Sequence, residues 1–441
     1  MPLNEILAIA CIASFFVMLL VGVPVALTLA ISGFFFGWLG FGTTLFALLP
    51  ARIYGVTANY TLIAIPLFVF MGVMLEKSRL ADELMEVIGH LSGSLRGGMG
   101  LGIVLVGMLM GATTGIVGAT IVTLGLLTLP TLLRRGYDRS LSCGAICASG
   151  TLGQLIPPST ILILLADILG ESVGTLFAAA LMPGLLLTGI FCAYMLVVGV
   201  IWPEKVPAIP LEERQAMPRG ELWLKALRVG LPPIGLVLAV LGSIIGGIAA
   251  PTEAASMGAL GSIVVASLAG RFTLKTLVDT VQTTARITAM MFFVLICSQV
   301  FALAFRGLGG ERLVHDAFAL VPGGTDGILI FMLLIILVLG FFIEWIEISY
   351  IVVPMFLPLL HAANVDLVWA AALIATVLQT SFLTPPFGWA LFYLRGVAPP
   401  EVTTGEIYRG VLPFIALQLC AVALVFTFPS VATWLPKAIG W

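Results

Sequence analysis

The chain is predicted to be an all-α polytopic membrane protein, with about ten transmembrane helices plus two re-entrant helical hairpins in two inverted-topology repeats. Three observations predict this. First, 60% of its 441 residues are hydrophobic and only 10% are charged, where a soluble domain carries about 25% charge. Second, two long apolar runs are each interrupted by a proline doublet, Pro157-Pro158 and Pro385-Pro386. Each doublet removes two backbone donors and pushes the preceding residue out of the α region. The freed polar groups cannot face lipid, so they must line an enclosed polar cavity. Third, Pro24 lies 133 residues before Pro157, and Pro251 lies 134 residues before Pro385. The same device therefore occurs twice at one spacing.

The elements follow in order. Leu3 to Val21 reads as the first span (residues 1–24) rather than a cleavable leader, because Glu5 stands where a basic region would and no small-residue cleavage site follows. The first repeat is residues 25–202. It holds a span at Val25–Phe41, a weakly polar connection at Thr43–Asn59 containing Arg52, and a span at Tyr60–Leu75. An interfacial amphipathic helix over Lys77–Arg96 comes next, then an apolar hairpin at 99–133, a broken helix at 140–169 and a closing span at Thr175–Trp202. Residues 203–253 are a polar loop and a linking span. The second repeat, 254–441, has spans at Ala254–Ala269 and Arg286–Phe305, a hairpin at 328–360, a broken helix at 368–394 and a last span at Ile407–Phe428.

The hairpins rest on length and charge. A simple crossing needs about 20 residues, and runs of about 35 and 33 residues suit a segment that enters and leaves on one side. Lys77, Arg79 and Arg96 precede the first run, and Arg134, Arg135 and Arg139 follow it. Both its ends are therefore expected in the cytoplasm. With two hairpins and both termini outside, only Arg52, Arg306, Arg312 and Lys437 of the 20 Lys and Arg fall on the outer side.

Several function classes drop out. No basic run suits nucleic acid. There is no H-E-x-x-H, no G-x-S-x-G and no Cys/His cluster. Cys143 and Cys147 are one helical turn apart but lack a His or carboxylate to complete a metal site, so they read as packing residues. Two broken helices in corresponding places point to the binding site of a secondary transporter. An ion channel remains the less favoured reading, since a pore needs no paired breaks.

The segments GATTGIVGAT (111–120), RRGYDRSLSCGAICASGTLGQLIPPS (134–159), PTEA (251–254), GFFIEWIE (340–347) and TSFLTPPFGWALF (380–392) resemble the large membrane subunit of tripartite ATP-independent periplasmic (TRAP) transporters. The resemblance covers nearly the whole chain. It implies an inner-membrane protein working with a small four-span membrane subunit and a periplasmic substrate-binding protein. It also implies sodium-driven import of small organic anions of the carboxylate class, by an elevator motion of a domain holding both hairpins. The chain departs from the family pattern at Ile116 and Val117, where small polar residues are usual. It also has Glu344 where Asp is usual, and Val377 where Asn is common.

Sodium is a hard cation and takes oxygen ligands. One site is expected between the first tip (Thr113, Thr114, Gly115, Gly118) and the first break (Ser149, Gly150, Gly153). A second is expected between Gly340 and Glu344 at the second tip and Thr380, Ser381 and Thr384 at the second break. The bland alternative for each hydroxyl is a bond to its own i−4 carbonyl. No Lys or Arg lies in either tip or break. An anion is therefore expected to meet half-helix N-termini restarting at Ser159 and Phe387. That gives a substrate set of Thr114, Pro157, Pro158, Ser159, Glu344, Thr384, Pro385 and Pro386. Glu344 and Glu347 share a helix face. A carboxylate at membrane depth is costly, so Glu344 reads as a cation ligand, a specificity group or, in a proton-coupled alternative, the proton carrier. Glu253 reads as an ordinary helix-start carboxylate.

Overall fold

The computed structural model describes residues 2–92, 94–209, 219–318 and 322–441. The middle of the predicted polar loop, 210–218, lies outside the described residues. Among those described, every regular element is a helix. The first half contains α1 (Leu3–Leu20), α2 (Val25–Phe41), α3 (Thr44–Thr57), α4 (Ala64–Lys77, entered through a 3-10 turn at Tyr60–Ile63) and α5 (Leu80–Ser92). It continues with α6 (Gly98–Thr114), α7 (Val117–Arg134), α8 (Arg139–Thr151), α9 (Thr160–Leu169) and α10 (Val173–Ile201). The second half contains α11 (Arg219–Ile245), α12 (Pro251–Leu268), α13 (Leu274–Gly307), α14 (Gly310–Phe318) and α15 (Gly324–Leu339). It ends with α16 (Trp345–Ala362), α17 (Leu367–Leu383), α18 (Trp389–Val397), α19 (Thr404–Thr427) and α20 (Ser430–Ala438). Among the described residues, eight helices are each long and apolar enough to cross a membrane, two of them the hairpin arms α7 and α16.

Local chemistry sets the helix starts. Asp138 accepts the Leu141 N–H at 2.8 Å, and Asp366 accepts the N–H groups of Val368 and Trp369. Thr403 and Glu406 cap α19 reciprocally. Glu253 accepts the Ala250 N–H at 2.9 Å beside Pro251, the helix-start role its position predicts. Several boundaries differ from the sequence reading, among them the linking span, which begins at Arg219 inside the expected polar loop, and an unexpected helix at Gly310–Phe318. Residues 44–57 are a helix rather than an open connection. The span through Arg286 is a 34-residue helix beginning at Leu274. A C-terminal helix, α20, follows the last span. The α5 segment is amphipathic as expected, and its Glu83 and Glu86 pair with Arg271 and Lys225 at 2.9 and 2.8 Å.

The packing is symmetric under exchange of the halves. The pair α2–α13 is matched by α12–α4, α6–α8 by α15–α17, and α8–α19 by α17–α10. Each hairpin's second arm packs on the distal half of the other repeat's broken helix: α7 on α18, and α16 on α9. The exchange also relates α1–α2 to α11–α12 and α5–α11 to α14–α1, so it includes the helix that precedes each proline-marked span. The two halves are thus interlocked, and the two hairpin tips and two breaks are drawn together inside one bundle.

Candidate functional site: two hairpin tips against two broken helices

The breaks form where the proline doublets predict. Helix α8 ends at Thr151, passes through a 3-10 turn at Leu152–Gln154, and restarts as α9 with Ser159 at its N-cap. Helix α17 ends at Leu383, and α18 restarts at Trp389. The second restart is two residues later than the expected Phe387, because the chain turns through Gly388. A Cβ there would sit 2.9 Å from the Thr384 carbonyl oxygen and 3.0 Å from that of Phe382, so only glycine fits. Both doublets are joined by cis peptide bonds. A third doublet, Pro232-Pro233, stays inside α11. The turns before it are largely exposed, where other groups can satisfy the carbonyls that the prolines orphan. Neither α9 nor α18 has a side chain capping its first N–H groups. The Ser159 hydroxyl donates instead to the Gln154 carbonyl at 2.5 Å. Both half-helix N-termini therefore keep unpaired donors and their share of the helix dipole.

The first tip is seated on the first break. Gly115 takes a left-handed conformation, φ 60°, to turn the hairpin. Its carbonyl accepts the Thr160 hydroxyl at 3.4 Å. Below it the backbones of Gly111 and Gly153 touch: a Cβ on Gly111 would lie 2.5 Å from Cα and 2.6 Å from N of Gly153. Thr114 bonds Thr120 across the turn at 3.0 Å, and Thr113 donates to the Met110 carbonyl at 2.8 Å. Ser149 and Gly150 lie further down the arms, against Gly107 and Ile121 respectively. Gly118 faces the Tyr393 ring of the other broken helix, where an added Cβ would be 2.9 Å from the ring.

The second tip is seated likewise. Gly340 lies so close to Ser381 that a Cβ would overlap its hydroxyl. Thr380, Ser381 and Thr384 donate to the carbonyls of Thr376, Leu378 and Thr380 at 2.9, 2.7 and 2.8 Å. These are the local bonds that the bland reading predicts. They use the hydroxyl proton and leave oxygen lone pairs, which are what a cation takes. Glu344 is the N-cap residue of α16, without a capping bond and partly exposed. Glu347, one turn on, is only 4% exposed, and one of its carboxylate oxygens has no partner.

Three glutamines went unremarked in the sequence. Gln154 and Gln379, 1% and 0% exposed, have both side-chain amide atoms unpartnered, and Gln418 reaches Thr151 at 3.3 Å with its carbonyl oxygen unpartnered. Their signal was available: Gln154 is set in the first break motif and Gln379 immediately precedes the second. A buried unpaired amide costs about 1–3 kcal/mol, so these side chains mark polar interior.

Paired helix breaks, hairpin tips seated on them and inverted halves define a secondary transporter of the multi-pass membrane class. Residues 12–431 match the family model "Tripartite ATP-independent periplasmic transporter, DctM component", and the chain belongs to that family. It is 30% identical over 398 residues to the C4-dicarboxylate TRAP transporter large permease protein DctM of Pseudomonas aeruginosa, covering 89% of this chain and 90% of that one. It is 29% identical over 430 residues to the ectoine TRAP transporter large permease protein TeaC of Halomonas elongata, covering 96% and 97%. In fold it is similar to the YdaH transporter of Alcanivorax borkumensis, with TM-score 0.61, 16% identity and 90% of each chain covered. The chain is a large permease subunit, a multi-pass inner-membrane transporter and not an enzyme.

Proposed function

We propose that this subunit imports a small organic anion of the carboxylate class, coupled to sodium, by an elevator motion of the unit built from both hairpins and both broken helices. In this reading both termini face outward. The substrate arrives from a periplasmic binding protein, and a separate small four-span membrane subunit completes the assembly. One observation carries the reading: the two tip-and-break pairs bring carbonyls, hydroxyl lone pairs and uncapped helix N-termini together without any Lys or Arg. Sodium would be held by oxygens of Thr113, Thr114, Gly115, Gly153, Gly340, Thr380, Ser381 and Thr384, a donor set that suits a hard monovalent cation. The anion would lie over the N-termini at Ser159 and Gly388. The names of the relatives, which include C4-dicarboxylate and ectoine permeases, support a small carboxylate.

A second reading, proton coupling, is favoured by the buried, half-partnered carboxylate of Glu347 beside Glu344. The test is uptake into proteoliposomes containing both membrane subunits and the binding protein. Radiolabelled 2-oxo acids, C4-dicarboxylates, sugar acids and ectoine would be offered, with and without an inward sodium gradient. Uptake that requires the gradient supports sodium coupling. Uptake driven equally well with choline in place of sodium, but needing a proton gradient, overturns it in favour of the second reading.

A further inference from the structure

Four basic residues break the inward bias of positive charge: Arg52, Arg306, Arg312 and Lys437. Two of them, Arg52 on α3 and Arg306 at the end of α13, line one cavity of about 610 Å³. Gln299, Asp167 and Tyr350 line it too. The cavity runs between α2, α3 and α13 on one side and α9 and α16 on the other. Tyr350 lies six residues beyond Glu344 on α16, about 9 Å along the helix from the second tip. The cavity thus leads from the helix ends to the neighbourhood of the tip.

Its charged groups are unequally partnered. The Asp167 carboxylate is already engaged, accepting the Asn59 side-chain amide on one oxygen and the Tyr350 hydroxyl at 3.2 Å on the other. Arg306 is paired with Glu311 at 3.3 Å. Among the described residues no carboxylate lies within ion-pair distance of Arg52. The exchange-related cavity at the opposite end of the bundle, about 510 Å³, carries both signs: Glu76 and Asp279 with Lys77 and Arg79. In the first cavity Arg52 stands without a carboxylate within ion-pair distance, which leaves a local positive charge on that wall. A cleft with low-dielectric walls focuses such a field and concentrates ions of opposite sign.

We propose that this cavity is an acceptor site for the anion. Arg52 and Arg306 hold a small carboxylate at the outer end, before it reaches the tips. The site supplies the fixed positive charge that the tips lack, and Gln299 and Tyr350 offer neutral donors along the way. The proposal rests on the organic-anion reading above, and its test separates the two.

A bimane fluorophore is placed on Leu48→Cys, which lines the cavity, in a Cys192→Ser/Cys420→Ser background, and the protein is studied in uncharged detergent. Quenching by iodide is compared with quenching by neutral acrylamide. Arg52→Gln or Arg306→Gln is expected to cut the iodide quenching constant about threefold and leave acrylamide unchanged, because only the anion senses the field. Lys437→Gln, a basic residue that does not line the cavity, should change neither. Succinate should displace iodide in the unsubstituted protein, whereas glycerol phosphate, a lipid-headgroup probe, should be weaker. Iodide quenching indifferent to both arginines overturns the proposal. So does displacement by glycerol phosphate alone, which would mark a lipid site. Succinate displacement without uptake of any offered acid would sink the transport reading and leave the anion site standing. Normal uptake with no anion effect would do the reverse.

Discussion

The contact of Gly111 with Gly153 can be tested by adding one carbon. A Cβ on Gly153 would sit 2.8 Å from both the carbonyl carbon and the oxygen of Gly111, and closer still to its Cα. Ordinary contact begins near about 3.4 Å, so the hairpin or the break must move by roughly 0.6 Å or more. Both partners are backbone, and no side chain can rotate away, so the overpacking cost of about 1–3 kcal/mol falls on the seating of the tip. Movement would also displace the Gly115 carbonyl, one turn above. Gly189, in the middle of α10, is the control, since a Cβ there meets nothing. Alanine at an open helical glycine is worth about 0.5–1 kcal/mol of added stability. Gly153→Ala should therefore lower the thermal unfolding midpoint in detergent and raise the sodium concentration for half-maximal uptake. Gly189→Ala should raise the midpoint and leave the sodium dependence alone. If the two variants unfold together and share the wild-type sodium dependence, the tip is not seated as described.

Three further outcomes are expected. Thr114→Val and Thr384→Val remove a lone-pair donor at nearly constant volume, and each should raise the sodium requirement several-fold while the serine variants stay close to wild type; unchanged sodium dependence in both valine variants removes these residues from the cation sites. Gln379→Leu relieves an orphaned buried amide worth about 1–3 kcal/mol, so it should unfold at a higher temperature but transport more slowly, and a loss of stability would mean the amide has partners. Glu347→Gln should leave sodium-driven uptake largely intact and keep its pH profile unchanged; a flattened pH profile would identify Glu347 as a proton carrier.

The fold was legible because a membrane restricts the chain so severely. A proline doublet in an apolar run has no lipid-compatible solution except a protein-lined break, and both breaks lie where the doublets are. Pro232-Pro233 shows what the pattern needs besides proline. That doublet remains helical in the middle of α11, where the turns before it are largely exposed, whereas the turns before 157 and 385 are buried. Helix α3 was missed because residues 44–57 are only weakly amphipathic and contain Pro50 and Arg52, which read as a connection. The site was legible in part. Glycines at a tip announce close approach, but which backbone approaches cannot be read from spacing. Gly111, which meets Gly153, was passed over, while Gly118 faces Tyr393 from the other repeat. Glu344 drew attention as the first carboxylate of the second tip, yet the neighbouring turn buries Glu347 more deeply. Which of two residues on one helix face points inward depends on packing partners far away in sequence.

The absence of Lys and Arg at the tips has a consequence under the sodium-coupled reading. Each uncapped half-helix N-terminus presents about half a positive charge, so α9 and α18 together offer about one. A C4-dicarboxylate carries two negative charges, and leaving one of them uncompensated in a water-poor interior costs several kcal/mol. A single bound cation removes that deficit, and a second makes the loaded unit net positive. Binding of the anion and of sodium would then be mutually dependent for an electrostatic reason. A permanent arginine at the tip would abolish the dependence, because the anion would bind without the ion and could be carried without it. Under the proposal above, the fixed positive charges instead stand in the cavity lined by Arg52 and Arg306, away from the tips. There they can draw the anion in without replacing sodium.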